Sequence, residues 1–242
     1  MSNLPAGVGA IGLVLATTAC QADRSAEVTE TAVTGSDTGY FLVTRPDRRG
    51  CAAPRCGGYF VARVGHRMMR CADGSERAEC PVASILLDRL RLRSEEEDAL
   101  RAALDAGEKA VLRAREEDAT VDGDRFLVLD ADEGWRGATG STPDGSFYRA
   151  TATVVACAFP PCPTATAVPL DEGGELLVDR VDLGVTEKAA DAATLDRASA
   201  ALRAPGGVLV VGHVAAAPCA TTACGPVLFA KEFFLRVGER AP

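Results

Sequence analysis

The chain has 242 residues, 47% of them hydrophobic and 25% charged, with a formal net charge of −8. That length allows one large domain or two small ones with cores of their own, and the acidic balance repels nucleic acid and anionic membrane surfaces. No basic tract offsets it, so no nucleic-acid partner is expected, and nine cysteines, eight of them in four local pairs, point to an oxidising compartment.

Residues 1–19 read as a lipoprotein signal peptide. The stretch 6–19, AGVGAIGLVLATTA, is uncharged, small or apolar, and too short to span a bilayer comfortably. The run Leu15-Ala-Thr-Thr-Ala19-Cys20 resembles the lipobox of bacterial lipoproteins, in which the cysteine is lipidated and becomes the new N-terminus. It departs from that pattern in placing Thr17 three residues before the cysteine and in lacking Lys or Arg ahead of the apolar run. Lipidation of Cys20 accounts for the odd cysteine. Gln21 rather than Asp follows it, which under the sorting rule of enteric bacteria indicates the outer membrane. Residues 20–39 are poor in large aliphatics and are expected to form a flexible tether.

From Tyr40 the pattern becomes that of folded structure. Segments 40–44 and 59–64 are rich in β-branched and aromatic residues and flank Cys51-x4-Cys56, and the same spacing returns at Cys157-AFPP-Cys162 and Cys219-ATTA-Cys224. Cys71 and Cys80 bracket a polar loop, and the segment from Leu86 to Leu92 alternates like a strand. Ser94 with Glu97 forms a capping-box pattern ahead of a helix whose apolar stripe is Leu100, Ala103 and Leu104. Asp122-Gly123 predicts a type I′ hairpin between 110–121 and 126–130. After a linker at 135–146, strands are expected at 147–156, 164–169 and 175–183. A helix capped by Thr186 follows, carrying Leu195, Ala198 and Leu202, and strands at 208–215 and 227–237 precede a short tail at 238–242.

The two halves share a plan. Leu87-Asp-Arg-Leu-Arg-Leu92 matches Val178-Asp-Arg-Val-Asp-Leu183, so Asp88-Arg89 is expected to superpose on Asp179-Arg180, and the third cysteine pair on the Asp122-Gly123 turn. The fold expected is therefore α+β, with two tandem β-β-β-α-β-β repeats at 40–134 and 147–237. Each would be a helix laid on an antiparallel sheet, with hairpin tips stapled by disulfides.

Cysteines at i and i+5 across a hairpin can reach disulfide geometry, so the expected bonds are Cys51–Cys56, Cys71–Cys80, Cys157–Cys162 and Cys219–Cys224. Each short loop closed in this way contributes about 2 kcal/mol, which should stiffen tips more than it supports a fold. Zinc held by two clamps, or a mixture of bonded and ligating thiols, is the alternative. The histidines, His66 beside Arg63, Arg67 and Arg70, and His213 after a buried-looking VLVVG, read as structural or solvated. No G-x-S-x-G, H-E-x-x-H or phosphate-loop arrangement is present. Asp130-Ala-Asp132-Glu133-Gly134, with Asp122 and Asp124 nearby, fails the spacing of a calcium loop and reads as solvated turn acids. Glu95, Glu96, Glu97 and Asp98 read as a wet helix start, and Trp135, the sole tryptophan, offers no sugar-stacking platform.

In its lipobox-like start, Thr/Ala-rich tether and YFLVTRPD strand before a C-x4-C turn, the chain resembles a family of uncharacterised, cysteine-paired predicted lipoproteins of GC-rich bacteria, over residues 40–237. That resemblance implies no activity and no functional residues.

The function expected is that of a non-enzymatic, lipid-anchored cell-envelope protein without cofactor or metal. It would meet the membrane through its N-terminal lipid, facing the periplasm or the surface, and bind an envelope protein or serve structurally through its clamped hairpins. The alternatives are a protease-inhibitor-like or antagonist protein presenting the rigid tip Ala158, Phe159, Pro160 and Pro161, and a thiol-redox or zinc-binding protein. Replacing Cys20 with Ser should leave an unprocessed or soluble species; intact mass and detergent partitioning unchanged from the parent would refute the anchor.

Overall fold

A computed structural model describes residues 38–153, 162–170, 173–184, 186, 188–216 and 225–238. The first half runs β1 (Thr38–Pro46), β2 (Tyr59–Arg63), β3 (Met69–Arg70), β4 (Glu76–Arg77), β5 (Cys80–Val82), β6 (Ser84–Leu86), a 3-10 turn (Asp88–Leu90), α1 (Ser94–Asp105), β7 (Ala110–Val121) and β8 (Asp124–Gly137). The second half runs β9 (Ser146–Ala152), β10 (Ala165–Pro169), β11 (Leu176–Val178), β12 (Arg180–Asp182), α2 (Ala192–Arg203), β13 (Val208–Ala216) and β14 (Pro226–Arg236).

The expected pair of α+β units, each with its own sheet, is overturned. All strands except the β3–β4 hairpin belong to one twelve-stranded, mostly antiparallel sheet, ordered β11-β10-β9-β13-β14-β8-β7-β1-β2-β5, with β12 parallel to β14 and β6 parallel to β8. The fold is thus mainly β with two helices. The halves meet where β14 pairs with β8, through Phe234↔Gly137, Leu235↔Arg136 and Arg236↔Trp135. This seam escapes local reasoning because it joins strands separated by about ninety residues.

The superposition of the two Asp-Arg pairs fails as well. Asp88 and Arg89 lie in the 3-10 turn that follows β6, whereas Asp179 precedes β12 and Arg180 opens it. The strand expected over 86–92 ends at Leu86, and the one expected over 175–183 is broken at Asp179 into β11 and β12, whose partners are different strands. A polar–apolar alternation of six residues does not distinguish a strand from a strand plus a turn.

Both faces of the central strands are covered. On one face α1 packs Leu100 and Leu104 against Phe41, Val43, Val61, Leu112 and Leu129, and α2 sets Ala198, with Leu195 and Leu202, against Ala150, Val208, Val210 and Phe233. On the other face Val64, Val111, Trp135, Phe147, Leu209, Val211 and Phe234 form a third cluster, joined by Tyr40 and Leu42. Arg149 of β9 donates to the Tyr40 hydroxyl of β1 at 3.0 Å, although β9 and β1 are separated by four strands in the order. The sheet is therefore curled around this third cluster, with the helices outside.

Two β-bulges set which side chains face where. In β8, Glu133 pairs with Arg113 and Ala131 with Ala114, so Asp132 is the extra residue. Leu127, Leu129 and Ala131 face the helices; beyond the extra residue the parity flips, and Trp135 joins the inner cluster. In β14, Glu232 pairs with Val211 and Ala230 with Gly212, so Lys231 is extra. Close backbone approach demands glycine at 212, where an added Cβ would lie 1.9 Å from the Phe229 carbonyl oxygen.

Local signals meet different fates. Asp122 and Gly123 take φ of 52° and 85°, both positive as a type I′ turn requires, and join β7 to β8 as expected. The cap of α1 lies one residue earlier than the capping-box pattern places it: Arg93 is the N-cap, Glu96 reaches back to its N–H at 2.9 Å, and Glu97 instead pairs with Arg101 at 2.7 Å. Thr186 does not cap α2. Asp191 does, accepting from the Thr194 N–H at 2.7 Å, which with the flanking amides holds its carboxyl below the usual range.

Cys51–Cys56 and Cys71–Cys80 are bonded, with Cα separations of 5.4 and 5.3 Å. The first staples the turn between β1 and β2. The second has both cysteines in the first core cluster, with Cys80 fully buried, so it is more than a tip staple. A Cys71→Ser/Cys80→Ser double variant should therefore lower the melting temperature well beyond its loop-closure share of about 3 kcal/mol, because it also places two hydroxyls in an apolar core. Cys51→Ser/Cys56→Ser should lose about 2 kcal/mol or less. Equal losses in calorimetry would refute this ranking.

Candidate functional site

The open end of the inner cluster forms a cleft of about 610 Å³. Its floor is Leu42, Val64 and Phe147. One wall is the exit of β2, carrying Arg63, His66 and Arg67, and the other is the segment Pro143–Ser146 that leads into β9. Each wall has a structural cause. Val64 is tied back to β1 by its N–H to the Tyr40 carbonyl oxygen at 2.8 Å, and the His66 N–H closes a turn on the Arg63 carbonyl oxygen at 3.2 Å.

The opposite wall is held by the β14 bulge. Lys231, the extra residue, pairs with Asp144 at 3.0 Å. Its neighbour Glu232 points inward and is completely buried, yet its carboxylate accepts from the N–H groups of Thr139, Ser141 and Phe233 and from the Thr139 hydroxyl, at 2.6 to 3.1 Å. Four donors compensate the desolvation of a buried acid, and they fix residues 139–141 against the sheet. Residues 139–141, within the segment expected to be a linker, are thus anchored, and β8 extends through 135–137.

Behind the floor lies a partly buried charge network. Glu133 accepts from Arg113 at 2.9 Å and from Arg149 at 2.8 Å, with Arg236 at 3.9 Å. Asp130 is held by Arg89 at 3.0 Å and Arg115 at 3.7 Å, and Asp132 lies 3.4 Å from Arg113. The Arg149 guanidinium sits 5.1 Å from the centroid of the Trp135 ring, a cation–π arrangement over a completely buried tryptophan. The acids of 130–133 are therefore strand residues in ion pairs, correcting the reading of them as solvated turn acids. Composition signals acids there but says nothing of arginines 15 or more residues away.

Charge pairing separates this cleft from two other cavities of comparable size. Beneath the first clamp, in a cavity of about 580 Å³, Arg49 is bound to Asp47 at 2.7 Å and Arg55 to Asp124 at 2.5 Å. On the helix face, a cavity of about 660 Å³ has Arg136 paired with Glu108 at 2.7 Å and Arg197 donating to Thr194. In the inner cleft the side chains of His66 and Arg67 are exposed and make no hydrogen bond or ion pair among the described residues. A cation with no internal partner beside an apolar floor is equipped to meet an anion from outside.

The sites expected from sequence are placed as follows. Four cysteines form the two bonds given above, and Cys162 is also disulfide-bonded. Cys20, Cys157, Cys219, Cys224 and the tip Ala158–Pro161 lie outside the described residues. Among the described residues no three His, Cys, Asp or Glu side chains converge as a metal site would require, and no helix is long and apolar enough to cross a membrane. His213 stacks on Phe229 with centroids 5.6 Å apart, away from the cleft. The cluster His66-Arg67 was visible in the sequence; its meeting with Phe147 was not.

A family model described as a domain of unknown function (DUF6748) matches residues 40–240. No curated protein and no solved structure matches the chain.

Burial raises the ionisation of Tyr40 above its ordinary value of 10.0, and the Glu133 charge adds to this against the opposing pull of Arg149. A phenol kept protonated by the fold contributes stability that is complete below the free value and lost as pH rises through the folded one. Tyr40→Phe should therefore show a shallower fall of melting temperature than the parent above pH 10.0, and parallel curves would refute the assignment.

Proposed function

Because the chain belongs to the DUF6748 family, whose defining domain has no assigned function, its role has to come from its own geometry; we propose that it is a non-enzymatic binding module of the cell envelope, anchored through lipidated Cys20, that receives a compact anionic ligand in the inner cleft. The observation that carries this reading is the Arg67 guanidinium, with no partner among the described residues, beside the exposed His66 and above the floor of Leu42, Val64 and Phe147. The oxidised Cys51–Cys56 and Cys71–Cys80 pairs support an extracytoplasmic, envelope location. The lipobox-like run supports the anchor, and Gln21 after the cysteine supports the outer membrane.

The clamped hairpin that the structure describes is a poor competitor for the binding role. Its Arg55 is committed to Asp124 on the β7–β8 turn, so the tip is braced against its own protein. Rigidity there supports the sheet edge and resistance to proteases.

The sole tryptophan, Trp135, shares the apolar cluster with the cleft floor and reports on it. Titrating the full chain with phosphate, sulfate and acetate should give a saturable change in tryptophan emission for at least one of them, and Arg67→Glu should weaken that response about tenfold, the effect of reversing one charge of a charge-assisted contact. No response to any of the three anions, or a response indifferent to Arg67→Glu, would overturn the cleft as the binding site.

A further inference from the structure

The exit of β2 goes against the charge of the chain as a whole. Residues 63–70 hold Arg63, His66, Arg67 and Arg70 and no acid, in a chain of net charge −8. Met68, inside that run, is 50% exposed and is the most exposed large hydrophobic among the described residues. The acids lining the hollows on either side are matched: Asp144 by Lys231 at 3.0 Å, Glu116 by Arg63 at 4.0 Å and Asp118 by Arg125. Arg70 has Glu76 opposite it in the β3–β4 ladder. The charge left uncompensated is that of Arg67, whose sequence neighbours His66 and Met68 are both exposed.

This loop lies where the chain enters the fold. β1 and β2 are antiparallel, so the first residues of β1 are beside the last of β2. Phe41 pairs with Arg63, the Val64 N–H donates to the Tyr40 carbonyl oxygen at 2.8 Å, and a Cβ on Gly39 would lie 3.3 Å from the Arg63 guanidinium. Thr38 is eighteen positions after Cys20, a reach of about 60 Å at full extension. A lipid on Cys20 therefore holds the domain by the end that carries His66, Arg67 and Met68.

We propose that this end of the sheet docks on the membrane that holds the anchor, with Met68 in the interfacial layer and Arg67 on the phosphate of an anionic lipid headgroup. The inference rests on the anchor and the cleft of the proposed function, and it names the source of the anion as a lipid headgroup instead of a free solute. Taken alone the contact is weak. One arginine near an anionic surface contributes about 1 kcal/mol, and burial of the exposed half of a methionine adds about as much. Tethering removes the need for strength, because an anchored domain meets the headgroups at an effective concentration on the order of millimolar. The acidic remainder of the chain is repelled by the same surface, which turns the basic end toward it.

The test is hydrogen exchange of the Cys20-acylated chain reconstituted in vesicles of phosphatidylcholine alone or in an equal mixture with phosphatidylglycerol, with acylation read from intact mass. Exchange at residues 64–70 and 143–147 should slow in the mixed vesicles and not in phosphatidylcholine. Salt at about 1 M, which shortens screening to about 3 Å, should abolish that difference. Arg67→Glu should reduce the protection about tenfold. Met68→Ser should reduce it while leaving the tryptophan response to free anions unchanged. Arg67-dependent binding of free anions without protection on mixed vesicles would overturn the membrane as the source and leave the cleft standing; absence of both would overturn the cleft as well. Equal protection on the two kinds of vesicle, or protection indifferent to both substitutions, would also overturn the proposal. An unmodified Cys20 would remove the anchor and this inference with it.

Discussion

Three residue pairs between β14 and β8 hold the halves of the sheet together, and the remainder of the molecule is arranged to make that short ladder sufficient. Two further backbone bonds lengthen it, from the Ala138 N–H to the Phe233 carbonyl oxygen and from the Val237 N–H to the Gly134 carbonyl oxygen, each 2.9 Å. Trp135 and Phe234 pack on the inner side and Leu235 on the helix side. Backbones crowd here: a Cβ on Gly137 would lie 3.2 Å from the Lys109 carbonyl oxygen. Burial of large aromatics beside the seam contributes more than its few hydrogen bonds, each worth about 1 kcal/mol net.

The bulges at Asp132 and Lys231 connect this seam to the cleft. Each lets a strand present one parity of side chains to the helices along most of its length and the other parity near the seam. Were Asp132 paired regularly in β8 instead of bulged, Trp135 would face the helices and Arg149 would lose its aromatic support. Were Lys231 paired regularly in β14, Glu232 would turn to the face of Leu228 and Ala230 and away from residues 139–141. Irregular strand geometry thus supplies the register that the walls of the cleft require.

What was legible in the sequence is what short-range chemistry decides. Asp122-Gly123 can adopt two successive positive φ values at little cost, so its hairpin announces itself. Cysteines five or nine apart with turn residues between them find each other. Leu100, Ala103 and Leu104 mark the buried face of α1. The cap of that helix was misplaced by one residue because a run of three glutamates offers more than one partner for the reach-back bond. The end of β8 reads as loop because Gly, Ser, Thr and Pro recur from Gly134 to Gly145, whereas Gly134 and Gly137 permit close approach to Val237 and Lys109. The charge network and the seam were illegible for a common reason: Arg149 with Glu133, and Phe234 with Gly137, are decided by how a curled sheet brings distant strands together.

The position of β14 has a consequence for how the chain reaches its native state. The last of the described strands, β14, lies at the centre of the strand order and touches β13, β12 and β8 at once. Until it arrives, neither half of the sheet has a neighbour across the middle, and the aromatic surface destined for the inner cluster is uncovered. Folding is therefore tied to the arrival of β14, in the manner of topologies dominated by contacts remote in sequence. A chain in which β14 has yet to be made is the form most in need of a holdase.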